Sequence, residues 1–224
     1  MKLLIVGYGK MGQLIDELAA GQGHEVVGRV DAGRDEWAPA DAAVDFSTAD
    51  ALLANFPRYV ELRVPVVIGT TGWNQHVERL RAEAAKARLG VVASANFSIG
   101  VNIFQLVASQ AARLMREQEQ YGAWIHEAHH ATKRDAPSGT ALLLRDAMVQ
   151  AGFGRAIDVS STRAGTIPGT HTIGFDSASD TIELTHTARD RRGFASGALL
   201  AARWIQKREG WFSMLDVLRD NLRS

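Results

Sequence analysis

The chain has 224 residues, 46% hydrophobic and 22% charged, with 25 Lys and Arg against 25 Asp and Glu. Such a balance suits a globular protein with room for one large domain or two small ones, and a zero formal charge points to no nucleic-acid or membrane partner. The absence of cysteine excludes disulfides, thiolate metal sites and cysteine nucleophiles, and the apolar N-terminus before Gly7 is too short for a signal segment, so a soluble cytoplasmic protein is expected.

The first half alternates short apolar runs with amphipathic stretches. Strands are predicted at 3–6, 26–31, 43–46, 65–69 and 91–95, and helices at 11–20, 49–55 and 73–88. Buried runs separated by helices are the pattern of βαβ units around a parallel sheet. Residues 102–120 follow as a long helix, with Ile103, Val107, Leu114 and Met115 near one apolar stripe. Past Gly122 the texture changes to a strand at 123–130, a helix at 138–150, and two or three strands within 158–189 with no helix between them. The alternation Thr181-Ile182-Glu183-Leu184-Thr185-His186 is that of half-buried antiparallel sheet, and two helices are predicted at 194–206 and 211–222. The fold class is therefore α/β. A Rossmann-type parallel-sheet domain takes residues 1–98 with 193–224, and an inserted α+β domain with an open mixed or antiparallel sheet takes residues 99–192.

Gly7-Tyr8-Gly9-Lys10-Met11-Gly12 is a G-x-G-x-x-G turn between a strand and a helix. Its glycines allow a tight turn and close backbone approach, and the helix N-terminus behind it suits a pyrophosphate. Asp31, about 20 residues on, stands where an acid binds a ribose 2′-hydroxyl. That carboxylate repels a 2′-phosphate and favours NADH, although Arg29 and Arg34 flank it and leave NADPH open. Two further loops follow strands: Gly69-Thr70-Thr71-Gly72 and Ser94-Ala95-Asn96-Phe97-Ser98. Both are candidates for the nicotinamide half, and both read equally well as polar turns or helix caps.

The richest segment runs from Glu127 to Ala141. It holds His129, His130, Lys133 and Arg134, then Ser138-Gly139-Thr140 opening a helix. Ser138 or its neighbour caps that helix, and the Gly139 and Thr140 amides make an anion site. With Lys133 and His130 adding positive charge, the segment suits a small carboxylate-bearing substrate, and His129 and Lys133 are candidate proton-transfer groups. His126-Glu127-Ala128-His129-His130 also spells H-E-x-x-H, a zinc motif that needs a helix. Trp124 and Ile125 favour strand here, and Lys133 stands where the longer metalloprotease pattern needs glycine, so no metal site is expected. The Gly- and Pro-rich stretch 163–171 reads as a hairpin turn joining two strands.

These residues resemble the dihydrodipicolinate reductase family. The signature runs Glu127-x-His-His-x-x-Lys-x-Asp-x-Pro-Ser-Gly-Thr140, and Gly69–Gly72, Asn96-Phe-Ser-x-Gly-Val-Asn102 and Arg163-x-Gly-x-x-x-Gly-x-His171 follow the family's other landmarks in order. The resemblance spans essentially the whole chain. It implies an NAD(P)H-binding Rossmann domain, a substrate domain that builds a homotetramer through its open sheet, and hydride delivery to a cyclic imine in lysine biosynthesis. By the same resemblance His129 is the proton donor or acceptor, Lys133 a proton donor, and His130, Gly139 and Thr140 hold substrate carboxylates. Gly7–Gly12, Asp31, Gly69–Thr71 and Ser94–Phe97 would contact the cofactor. The glycine loop is one residue shorter than the commoner family form and the stretch 33–42 is brief, which bears on cofactor preference rather than on the reaction. A rival reading is another small Rossmann reductase such as an aspartate dehydrogenase, which would not require His129, His130 and Lys133 beside an anion turn. A nucleotide-sensing regulator would instead lack a proton donor and carry a DNA-binding module, for which no basic recognition helix is found.

Overall fold

The computed structural model describes residues 1–221, which fall into two compact units, Met1–Ile99 with the segment from Arg191, and Gly100–Asp190. The first unit supplies β1 (Lys2–Val6), α1 (Lys10–Gly21), β2 (Glu25–Asp31), β3 (Arg34–Asp35), β4 (Ala42–Asp45), α2 (Ala49–Leu62), β5 (Val66–Ile68), α3 (Val77–Ala87) and β6 (Gly90–Ala93). Then come α4 (Ile99–Met115), β7 (Gly122–His129), α5 (Gly139–Gln150), β8 (Ile157–Arg163), β9 (Thr170–Asp176) and β10 (Thr181–Thr187). The chain returns to the first unit with α6 (Arg192–Ile205), β11 (Gly210–Phe212) and α7 (Met214–Asn221). Among the described residues no helix is long and apolar enough to cross a membrane.

The first sheet has the order β11-β6-β5-β4-β1-β2-β3 and is parallel except for the β2/β3 pair. β1 is apolar without a break after Lys2 because both its faces are covered. Leu3 and Ile5 pack with Ile15 and Ala19 of α1 and Leu199 and Ala202 of α6, whereas Leu4 and Val6 pack with Leu52 and Phe56 of α2 and Leu80 of α3. Successive strand residues point to opposite faces, so one apolar run feeds two cores. The chain order reverses at β1, which has β2 on one side and β4 on the other. Open α/β sheets bind ligands beyond the carboxyl ends of the strands at such a reversal.

The second sheet has the order β10-β9-β7-β8, with β7 and β8 parallel and the other pairs antiparallel. One face is covered by α4 and α5, whose Phe104, Ala108, Ala112, Leu144 and Met148 meet Ile125, Ile173 and Phe175. On the other face the indole of Trp124 lies over Gly174, and Thr172 bonds Thr185 across the strands at 3.0 Å.

Several elements differ from the sequence reading. The α4 helix starts earlier and ends at Met115, and it turns a different stripe inward: Ile103, Val107 and Leu114 are 44%, 43% and 66% exposed, while Phe104, Ala108 and Ala112 are buried. Alanines at i+4 and i+8 let the helix lie close to the sheet, and that close packing wins over the larger exposed side chains. The α2 helix continues through Pro57 to Leu62, because Pro57 is on the exposed face, where water can serve the carbonyl it leaves unpaired, and Phe56 and Tyr59 anchor the helix inside. Residues 74–76 form a 3₁₀ turn before α3. Trp211 and Phe212 are strand, paired with Val91 and Val92, and the last helix starts only at Met214. Ser213 and Asp216 cap it reciprocally, Ser213 Oγ accepting from the Asp216 amide and Asp216 Oδ2 from the Ser213 amide. Leu222, the end of that expected helix, lies outside the described residues. The loop after Arg163 is not a hairpin: β8 and β9 flank β7 on opposite sides, so the loop passes over the end of β7.

Candidate active site

In the first unit the turn between β1 and α1 is built by its glycines. Gly7 has φ +84°, and a Cβ at Gly12 would strike the Gly7 carbonyl, so the start of α1 lies tight against the turn. No side chain caps α1 at Gly9, and a Cβ there would project into open space. The helix thus begins with uncapped amides next to unfilled room, which fits a diphosphate and the positive end of the helix dipole. Lys10 and Met11 form the first positions of the helix.

The side chains around this turn are largely paired with one another. Arg29 donates to both carboxylate oxygens of Asp16, at 2.6 and 2.8 Å, and Tyr8 donates its hydroxyl to the same group. Burial opposes ionisation of Asp16, yet the bonds from Arg29 and Tyr8 hold its carboxyl below the ordinary value. Arg34 stacks 5.4 Å from the Tyr8 ring centre and pairs with Glu36 at 2.9 Å. Asp31 ends β2 with an exposed carboxylate.

Beyond β5 and β6 lies a cavity of about 280 Å³ lined by Thr70, Thr71, Gly72, Trp73, Ser94 and Ala95 among others. Much of its polar side-chain capacity is already used. Thr70 Oγ1 donates to the buried Asp45 carboxylate at 2.8 Å, Ser94 Oγ donates to the Asn96 carbonyl at 2.9 Å, and Asn96 Oδ1 accepts from the Ser98 amide at 2.8 Å. Phe97 is buried edge-on against Phe46, and Gly69 lies under the Phe46 ring. What these loops present to a ligand is therefore chiefly backbone, with Thr71 exposed beside it.

In the second unit β7 carries both Glu127 and His129, and strand alternation turns His126 away from them. His126 points to the open face, with Nδ1 3.0 Å from Ser160 Oγ, while Glu127 and His129 share the other face. Glu127 is 0% exposed. Its carboxylate accepts from Arg163 at 2.9 and 2.7 Å, from the Ser138 amide at 3.2 Å, and from His129 Nδ1. Burial would raise this carboxyl, but the bonds from Arg163, Ser161 and His129 hold it down at about 2. An ionised carboxylate only accepts, so His129 Nδ1 is the donor in that contact. On the other side His171, 5% exposed, stands edge-on to the His129 ring with centroids 5.1 Å apart and places Nε2 3.0 Å from Ser138 Oγ. Burial, then the neighbouring His129, push its imidazole down to about 4. Glu127, His129 and His171 bring three metal-type donors within 4.8 Å of one another. Both Glu127 oxygens are nevertheless taken by protein donors, and the Arg163 guanidinium on them opposes a second cation.

Ser138 caps α5, its Oγ accepting from the Ala141 amide at 3.2 Å, and a Cβ at Gly139 would meet nothing within 4 Å. Thr140 follows, half-buried. Lys133 Nζ donates to both oxygens of Asp135, at 2.7 and 2.9 Å. That lysine, then the Gly139 amide among weaker contributors, hold the Asp135 carboxyl below its ordinary value. Asp135 thus pairs with Lys133 three residues before Ser138 caps α5. His130 is exposed, just past the end of β7, with Nδ1 2.7 Å from Thr132 Oγ1.

Glu127, Arg163 and His171 were not singled out as site residues from sequence. One signal was available: Glu127 lies two positions before His129, which on a strand is the same face. The other two enter only through register, β7 pairing Glu127 with His171 and His129 with Arg163.

Comparison with known proteins covers nearly the whole chain. Residues 1–97 match the family described as dihydrodipicolinate reductase, N-terminus, and residues 100–218 its C-terminus. A 4-hydroxy-tetrahydrodipicolinate reductase from Christiangramia forsetii is 35% identical, over 98% of this chain and 98% of that protein. One of the same name from Thermosipho africanus is 35% identical, over 98% and 99%. Among solved structures, a dipicolinate-bound dihydrodipicolinate reductase from Paenisporosarcina sp. superposes with a TM-score of 0.81 at 21% identity, covering 95% of this chain and 97% of that one. An aspartate dehydrogenase from Thermotoga maritima reaches only 0.51 at 14% identity, over 91% and 95%, a likeness of fold alone.

Proposed function

Since the chain belongs to the dihydrodipicolinate reductase family, we propose that it reduces the cyclic imine 4-hydroxy-tetrahydrodipicolinate to tetrahydrodipicolinate, with loss of water, in the diaminopimelate route to lysine. The observation that carries this reading in the second unit is that Glu127 holds His129 by one carboxylate oxygen and the Ser138 cap of α5 by the other, with Lys133 on the loop between them. A substrate carboxylate takes the place of the Asp135 side chain against Lys133 and the Gly139 and Thr140 amides, with His130 and Ser138 beside them. His129 and Lys133 are the groups able to move a proton to the reduced centre.

A nicotinamide cofactor supplies the hydride. The uncapped α1 at Gly7–Gly12 receives its diphosphate, Asp31 its ribose hydroxyls, and the backbone of Gly69–Thr71 and Ser94–Phe97 its nicotinamide half. NADH is the preferred form: Arg29 is committed to Asp16, leaving Arg34 as the cation on which use of NADPH rests. No metal is needed for this chemistry. The open face of the β7–β10 sheet is the surface through which the chain assembles as a homotetramer.

The test is turnover of the cyclic imine, generated from aspartate semialdehyde and pyruvate, with NADH and NADPH compared. Oxidation of either cofactor only when the imine is present is the expected result. No oxidation with the imine, together with NAD reduction by aspartate, would overturn the assignment in favour of an aspartate dehydrogenase.

A further inference from the structure

We propose that Glu127, held in place by Arg163, is a positioning residue that sets the tautomer and orientation of His129 and ties it to the first turn of α5. The inference rests on the reading of His129 as a proton-transfer group. Its ground is the way Glu127's lone pairs are shared. Oε2 accepts from His129 Nδ1 and Arg163 Nη1, and Oε1 from the Ser138 amide and Arg163 Nη2. One buried carboxylate therefore holds the imidazole by one oxygen and the cap residue of α5 by the other. The proton group and the anion turn cannot shift independently while it is in place.

The chemistry of each partner follows. A carboxylate paired to a guanidinium by two bonds stays ionised even out of water, and an ionised carboxylate cannot donate. His129 must then carry its hydrogen on Nδ1, which leaves Nε2 as the only ring atom able to take up or release a proton. Nε2 lies beside Gly169, whose missing side chain leaves it clear: a Cβ there would stand 3.1 Å away. The second imidazole in the cluster does not compete for the carboxylate, since His171 is engaged with Ser138 instead. Arg163 also donates to the Asp135 carbonyl, so the same guanidinium steadies the loop that bears Lys133.

The experiment has two arms. The first records ¹⁵N NMR of the imidazoles in the wild-type enzyme, with the His129 signals identified by their loss in His129→Gln. The neutral ring should be the Nδ1–H form, and an Nε2–H form would overturn the proposal. The second measures kcat in a double-mutant cycle. Glu127→Gln should lower kcat about 10²-fold, the scale of a misplaced catalytic group. In a His129→Gln background it should change kcat by no more than about twofold, because a residue that acts through His129 has nothing left to act on. Equal losses in both backgrounds would make Glu127 merely structural and sink the idea. Should Glu127→Gln fail to fold, Arg163→Lys, which keeps the charge and loses the paired donors, goes through the same cycle with the same criterion. If His129→Gln alone keeps full kcat, it is the proton-transfer role of His129 that fails, a result distinct from additivity between the two sites.

Discussion

Replacing His171 by Gln should flatten the acid side of this protein's stability profile. In the folded state the imidazole of His171 gives up its proton at about 4 instead of the ordinary 6.5. Between those values the unfolded chain binds a proton that the folded one refuses, so stability falls as the pH falls. Above 6.5 both states are neutral and nothing is lost. At about pH 4.5 the deficit amounts to nearly two logarithmic units, or roughly 2.5 kcal/mol. The physical cause is that a charge on a ring 5% exposed, with Nδ1 lacking any hydrogen-bond partner, is only partly compensated by the Glu127 carboxylate. Gln keeps a polar atom for Ser138 and removes the titration. Urea unfolding at about pH 7.5 and about pH 4.5, followed by circular dichroism, isolates the effect as a difference of differences, because titrations not coupled to His171 cancel between the two proteins. The wild type should lose about 2.5 kcal/mol more than the variant over that span. Equal losses would mean that His171 is not the neutral, buried partner of Ser138.

Lys133→Met should lower kcat by about 10²–10⁴, the usual worth of a general acid, with NADH affinity nearly intact in a binding titration; near-normal kcat would remove Lys133 from that role. Asp31→Ala should weaken NADH more than NADPH, and an unchanged ratio of their kcat/KM values would take Asp31 out of the nucleotide site. Pyridine-2,6-dicarboxylate should compete with the imine substrate, and Thr140→Val should weaken its binding by about tenfold, as the loss of one hydrogen bond to a charged group predicts. Calorimetry showing no dicarboxylate binding in the presence of cofactor would refute the anion turn.

How much of this was legible beforehand depends on how far apart the interacting residues lie in the chain. The strand, glycine turn and helix at 2–21 were readable because each signal concerns near neighbours: an apolar run, a turn needing glycine at Gly7, and a helix starting behind it. The start of α5 was equally readable, since a serine cap reaches only three residues, to the Ala141 amide. The helix at 102–120 was found but its buried stripe was not, because hydrophobic size alone ranks Ile103, Val107 and Leu114 above the alanines that actually face the sheet.

By itself, then, the sequence determined the periodic elements, the glycine turn before α1 and the serine cap of α5, all matters of spacing within a few residues. Tertiary structure alone decided which side chains surround His129. Arg163 reaches Glu127 from 36 residues away, and His171 reaches Ser138 from 33. Those meetings depend on β7 lying between β8 and β9, a pairing set by register and by burial of one sheet face. Trp211 and Phe212 became strand for the same reason, because β6 offered them an unpaired edge. Local propensity concerns a residue and its neighbours in the chain, whereas a buried carboxylate shared by His129, Arg163 and Ser138 exists only once separate strands are laid side by side.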